Sequence, residues 1–282
     1  MTRCRPVGHT YNATTQSHRA ALSARVERST KVQSMEIMSL HPLDDQVVER
    51  FVAAVTGGDE PEPAWQPWWP ARIDELLERM RAGDERASNE ITLRLAYALG
   101  MRHPTFAAPG FGLSLWEARI DRGVGMYLRP PARLFRDLGL ELDVLRAMPI
   151  RVDTTLGLMG GAFVPAHLVP KVKELLETRE QRMARRLREA EHDPVVALTL
   201  FNEAVDYALE HRLGLYEALD AVGPEGQAVF GGQVIVGSRD RVPKAERKRI
   251  EELSKPPKKP GLLRRMLGQG SPDSANGHHP PE

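Results

Sequence analysis

Apolar positions along this chain recur mostly at helical spacing. Val47, Val48, Phe51, Val52 and Val55 fall on one face of a helix. Asp44 or Asp45 stands ready to cap it, and Gly57-Gly58 stops it. Prolines at 61, 63, 67 and 70 then exclude a helix and predict an extended stretch carrying Trp65, Trp68 and Trp69. Pro70 suits the first turn of a helix through Ile73, Leu76, Leu77 and Met80, which Gly83 ends. A second helix starts at Asp84 or Ser88, carries Ile91, Leu95, Ala98 and Leu99, and stops at Gly100.

The pattern weakens from 101 to 168. Met101 to Gly112 reads as loop, Leu113 to Ile120 as a short helix or strand, and Gly123 to Arg129 as a strand. Pro130-Pro131 opens a short helix ended by Gly139. Met148 to Asp153 reads as an edge strand, and Gly157 to Pro165 as a glycine-rich turn into a second strand.

Strong periodicity then returns. Pro170 begins a helix through Val172, Leu175, Leu176, Met183 and Leu187 with a charged outer face. Asp193-Pro194 forms a cap and first turn for a helix through Val195, Leu198, Phe201, Val205 and Leu209, with Gly214 as its C-cap. A short helix over Tyr216 to Val222 and a strand over Ala228 to Val236, kinked at Gly231-Gly232, complete the body. A short basic helix begins at Lys244. The predicted fold is α+β, a helix-dominated single body with a few short strands and flexible basic termini. Residues 35–238 are the folded body. Residues 1–34 are a disordered extension, or lie upstream of a start at Met35 or Met38. Residues 239–282 are a basic, disordered tail.

Charge sharpens this division. Residues 1–34 carry six Lys+Arg and one acidic residue, and 239–265 carry eleven against four. The body, 35–238, holds 22 Lys+Arg against 31 Asp+Glu, a net −9, although the whole chain is only +1. An acidic body favours a basic partner, while the tail favours an anionic surface. The tail's Leu262, Leu263, Met266 and Leu267 beside Arg264 and Arg265 form a small amphipathic island for weak membrane contact. Arginines outnumber lysines 31 to 8, a bias that fits a GC-rich bacterial genome. The single cysteine, Cys4, permits no internal disulfide and points to a reducing, cytoplasmic location.

The chemistry-bearing motifs are few. No phosphate loop, G-x-S-x-G, H-E-x-x-H or cysteine pair occurs, so no cofactor or metal is expected. Gly157, Gly160 and Gly161 lack the spacing of a dinucleotide fingerprint. His192 precedes a helix cap and His211 sits near a helix C-terminus, both structural positions. His103 and His167 lie in predicted loops, where functional side chains concentrate. Arg119 and Asp121 would share a face on a strand, with Arg129, Arg133 and Arg151 near the same turns. The five arginines of 179–188 suggest nucleic acid, but acidic residues interleave and no aromatic is placed to stack on bases.

The leading expectation is a non-enzymatic, cytoplasmic bacterial protein-interaction protein, adaptor- or immunity-like, whose partner meets Trp65, Trp68 and Trp69. The alternative is a small enzyme acting on an anionic metabolite through His103, His167, Arg119, Asp121 and Arg151. A second alternative is association with membrane or nucleic acid through the tail.

Overall fold

The strand at the centre of the sheet, β1 (Met38–Leu43), is buried at all six positions. This computed structural model describes residues 37–82, 84–108, 111–129, 162–219, 221–223 and 226–256. β1 pairs antiparallel with β4 (Gly214–Leu219) over its whole length, from Met38 opposite Leu219 to Leu43 opposite Gly214. It pairs on its other side with β2 (Thr105–Ala107), at Ser39 and Leu40 only. Pro42, which has no amide hydrogen to donate, lies beyond that second pairing. β3 (Phe163–Val164) adds antiparallel to β4, and β5 (Val234–Val236) adds parallel to β2, giving the order β3-β4-β1-β2-β5.

Helices cover both faces of this mixed sheet, as the helix-dominated α+β reading requires. On one side lie α1 (Asp45–Val55), α2 (Ile73–Arg81) and α3 (Glu85–Gly100). Phe51, Trp65, Ile91 and Leu95 there pack with Tyr216 and Leu43 of the sheet. On the other side lie α4 (Leu113–Leu115), a π-turn (Trp116–Ile120) that continues it, α5 (Val169–Glu189) and α6 (Pro194–His211). Trp116, Leu176, Met183 and Phe201 pack there with Leu40, Phe106 and Leu215. Leu215 and Tyr216 thus enter opposite cores, the period-two alternation of a strand buried on both faces.

Several sequence expectations are corrected. Tyr216 to Val222 is not a helix: its first residues belong to β4. Gly214 does not cap α6, because Arg212 takes the left-handed conformation there, at φ 58°. The glycine is needed by the sheet, since a Cβ at 214 would lie 2.5 Å from the Val164 carbonyl oxygen. The stretch taken as loop after Met101 contains β2, and the strand expected at 123–129 is a short 3-10 turn, Val124–Met126. The strand expected over 228–236 is confined to Val234–Val236, with Gly231 at φ +84° before it.

The folded body also runs past 238. α7 (Lys244–Leu253) packs on α5 and α6, burying Val242, Ile250 and Ser254. Arg239 reaches back to Asp193 at 2.5 Å, and Arg249 grips Glu180 at 2.5 Å. The basic stretch expected to open the tail is therefore partly neutralised by the body's own carboxylates. The predicted elements at 130–139, 148–153 and 157–161, and both predicted flexible termini beyond 37–256, lie outside the described residues.

Candidate functional site

The π-turn after α4 places Arg119 and Asp121 on one groove, although neither lies on a strand. Trp116 and Ile120 are buried in the core and pin the turn. Asp121 follows with extended backbone, its carboxylate buried and turned toward α5. Oδ1 accepts from the Gly123 amide at 2.8 Å and from Arg179 Nη1 at 2.9 Å. Oδ2 accepts no hydrogen bond and lies 3.7 Å from Arg182 Nε.

The groove itself, about 390 Å³, is lined by Glu117, Arg119, Asp121, Arg122, Arg182 and Arg186 among others. A second concavity of about 380 Å³ shares Arg182 and Arg186 and adds Arg185 and Glu189. Arg186 pairs with Glu189 at 3.1 Å. Among the described residues Arg122 and Arg185 have no ion-pair partner, and Arg122 is exposed. The outer arginines of α5 also lie in the last turns of that helix, where its dipole favours cations. His192 follows α5, with Nε2 buried and unbonded. Burial, and then the positive Arg119, hold its ring below the ordinary histidine value.

His103 belongs elsewhere. Its Nε2–H donates to Asp44 Oδ2 at 3.2 Å, and its Nδ1 lies 3.3 Å from the Tyr207 hydroxyl. Asp44 Oδ1 meanwhile caps α1 through the Gln46 amide. Burial pushes the Asp44 carboxyl up, but bonds from His103, Gln46 and Val47 outweigh it and hold it below the usual carboxylate range. Burial, and then Glu210, push the Tyr207 phenol up. An Asp-His-Tyr relay that activated tyrosine would need that phenol pulled down. This cluster therefore ties the α3–β2 turn to α1 and α6.

A second histidine network was not foreseen. His41 Nε2–H donates to Ser39 Oγ at 2.9 Å, Ser39 donates onward to the Ala218 carbonyl, and His41 Nδ1 accepts from Thr105 Oγ1 at 3.2 Å. It joins β1, β2 and β4 with all three side chains out of solvent. Burial pulls His41 down to about 3, so the ring is neutral and inert.

Glu217 was also missed. Fully buried on β4, it accepts from the Ser114 amide at 2.8 Å and from the Ser114 hydroxyl, and so holds the start of α4. Burial pushes it up to about 7, against those hydrogen bonds. Gly112 allows this approach, because a Cβ there would lie 2.8 Å from Glu217 Oε2. Its only sequence signal is a carboxylate between apolar residues in a buried strand.

The remaining candidates do not converge on the groove. His167 is exposed in a 3-10 turn, Ala166–Leu168. Arg133 and Arg151 lie outside the described residues, and Arg129 bonds the carbonyls of Met126 and Leu128. Lys173 of α5 pairs with Asp206 of α6 at 2.7 Å, which places His103's partner Tyr207 near that end of the helix pair. Arg182 and Arg186 lie about 14–20 Å farther along α5. His103, Arg119 and Asp121 therefore do not share one pocket.

The three tryptophans form one aromatic cluster on the opposite side of the sheet. Trp65 is buried, stacks on Trp69 at 6.0 Å and meets Phe51 edge-on at 6.1 Å. Trp68 meets Tyr97 at 5.6 Å and is half-buried, as is Trp69. Glu62 is held by Arg50 at 2.6 Å and Arg102 at 3.2 Å. The segment is thereby fastened to α1 and α3, and Trp68 and Trp69 remain partly exposed.

Among the described residues no cluster of three His, Cys, Asp or Glu side chains suits a metal ion. No described helix is long and apolar enough to cross a membrane. Comparison with protein-family models, curated proteins and solved structures gave no match.

Proposed function

We propose that this chain is a non-enzymatic interaction protein that docks an anionic segment of a partner in the arginine-lined groove between the π-turn and α5. The observation that carries the reading is Asp121, a buried carboxylate that fixes Arg179 and draws in Arg182 beside cations with no partner of their own. Guanidinium groups held in place lose less freedom on binding, and their planar forks suit oxyanions. The net negative charge of the body does not oppose this. Charges more than about 8–10 Å apart are screened at physiological ionic strength, so the local arginines dominate the groove.

The tryptophan cluster serves the fold first, since Trp65 anchors its segment in the core. The reading places the partner contact on the arginine face instead. A cytoplasmic location accords with the lone cysteine.

Native mass spectrometry on protein purified gently from its own cells tests the proposal. Wild type should carry a protein partner, and the double substitution Arg122→Glu with Arg185→Glu should release it while the circular dichroism spectrum is unchanged. A partner retained by the double variant would overturn the reading, as would a small metabolite on an otherwise isolated chain.

A further inference from the structure

We infer that Glu217 is a proton-operated latch: protonated, it fastens the α4–π-turn segment to the sheet, and ionised, it lets that segment open. The device belongs to the fold and holds whether or not a partner docks in the groove. β4 cannot yield to a change in this side chain, because it is paired with β1 along its whole length and with β3 on its other edge. The segment opposite can. α4 has only three residues, and Gly112 before it brings the backbone within reach of Glu217 Oε2. The same segment continues into Glu117, Arg119, Asp121 and Arg122, one wall of the groove.

What faces the carboxyl decides its preferred state. From α4 the Ser114 amide and hydroxyl and the Leu113 amide donate to it. From the π-turn the Glu117 carboxylate opposes its charge. Leu40 of β1 and Phe201 and Val205 of α6 fill the core on this face of the sheet. The acidic residues Glu203 and Asp206 of α6 turn instead to Arg241 and Lys173. His41 pairs with Tyr216 on the other face, where the Tyr216 hydroxyl donates to the Thr92 carbonyl. His167, in the turn between β3 and α5, is exposed. Among the described residues no cation pairs with Glu217.

A protonated carboxyl keeps one oxygen as acceptor for the Ser114 amide and shares its proton with the Ser114 hydroxyl, so no bond is lost and no charge is buried. An ionised one keeps its donors but holds a charge out of solvent, with no cation and with a second carboxylate nearby. Water entering at the start of α4 relieves that charge. The carboxyl gives up its proton at about 7 in the closed state and near the ordinary 4.5 once solvated. Opening is therefore least below about 4.5, grows as pH rises, and levels off above about 7. Between pH 6 and pH 8 the two titration curves together give about a tenfold rise in the open population.

Amide hydrogen exchange of the full chain, followed by NMR, tests the latch. Rates are read as protection factors, which removes the intrinsic effect of pH on exchange. The amides of Trp116 and Asp121, which donate to the Gly112 and Trp116 carbonyls, report the segment, and the amide of Val205 in α6 reports the whole body. Protection of Trp116 and Asp121 should fall about tenfold from pH 6 to pH 8 while staying below that of Val205. Glu217→Gln should abolish the fall. Glu117→Gln removes the opposing charge and should make the fall smaller. Protection that does not change with pH in wild type would overturn the inference. Protection equal to that of Val205 at both pH values would also overturn it, because the segment would then open only with the whole body. An undiminished fall in Glu217→Gln would assign the response to another group. If Glu217→Gln does not fold, Glu117→Gln decides, and a fall as large as in wild type would count against the latch.

Discussion

Asp121 and Arg179 stand 58 residues apart in the chain and meet at 2.9 Å, joining the π-turn to α5. The carboxylate is buried and its partner half-exposed. That contact converts two separate segments into one basic groove.

Asp121→Asn should therefore loosen the groove before it unfolds the body. The amide keeps the volume but removes the charge that attracts Arg179 and Arg182. A loss of about 1–3 kcal/mol in urea unfolding is expected, in line with removal of a charged hydrogen-bond partner. An unchanged midpoint would mean that Asp121 contributes nothing net to stability.

His192 should report on the charge of Arg119. The arginine helps to hold the imidazole below its ordinary value. In Arg119→Gln the NMR titration midpoint of His192 should move upward relative to wild type. No movement would show that burial alone sets it.

Glu217 predicts a stability that falls as pH rises. Its carboxyl is raised from 4.5 to about 7 in the folded state, so the folded chain holds this proton more tightly than the unfolded chain. The contribution is fully present below about 4.5 and is lost as pH rises through about 7. Glu217→Gln cannot ionise. The stability difference between wild type and this variant should therefore shift in favour of the variant between pH 4.5 and 7.5. A difference that stays flat with pH would show that Glu217 titrates normally.

His41 acts in the opposite direction. Its folded value of about 3 lies below the ordinary 6.5, so the unfolded chain takes up the proton first. The stability it supports is present above about 6.5 and is lost as pH falls toward 3. In the folded protein the ring resonances of His41 should stay constant from pH 8 to 4.5. A midpoint near 6.5 would show that the Ser39-His41-Thr105 network is open to water.

Trp65→Ala should cost roughly 3–5 kcal/mol, the usual range for removing a large buried aromatic side chain. Thermal unfolding measures it directly. A loss of partner binding at unchanged stability would instead return the tryptophan segment to the role of a contact surface.

Much of the helical layer was legible in the sequence because its signals are local. The apolar faces of α1, α5 and α6, the Asp193 cap with Pro194, and the helical hairpin of α2 and α3 all follow from spacing and capping chemistry. The sheet was not legible. β1 reads Met-Ser-Leu-His-Pro-Leu and β4 reads Gly-Leu-Tyr-Glu-Ala-Leu. Both are covered on two faces, so neither shows an exposed polar side, and Leu215 with Leu219 imitates a helical step. Within the site, a strand would put Arg119 and Asp121 on one face. The structure brings them to one groove through a π-turn, where Asp121 finds Arg179 and Arg182. His103 entered as an isolated loop histidine, but long-range packing supplies Asp44 and Tyr207 and makes it a tie between elements.

The sequence by itself determined the α+β class, most helix positions, the absence of an internal disulfide, and the segregation of charge along the chain. Each of these depends on composition or on residues within a few positions of one another. Only the tertiary structure decided which strands exist, that His41 and Glu217 are fully buried, that α7 joins the body, and that arginines of α5 face the π-turn. Those outcomes depend on contacts between residues tens to more than a hundred positions apart. Burial and pairing at such separations override local propensity and leave no periodic trace in the chain.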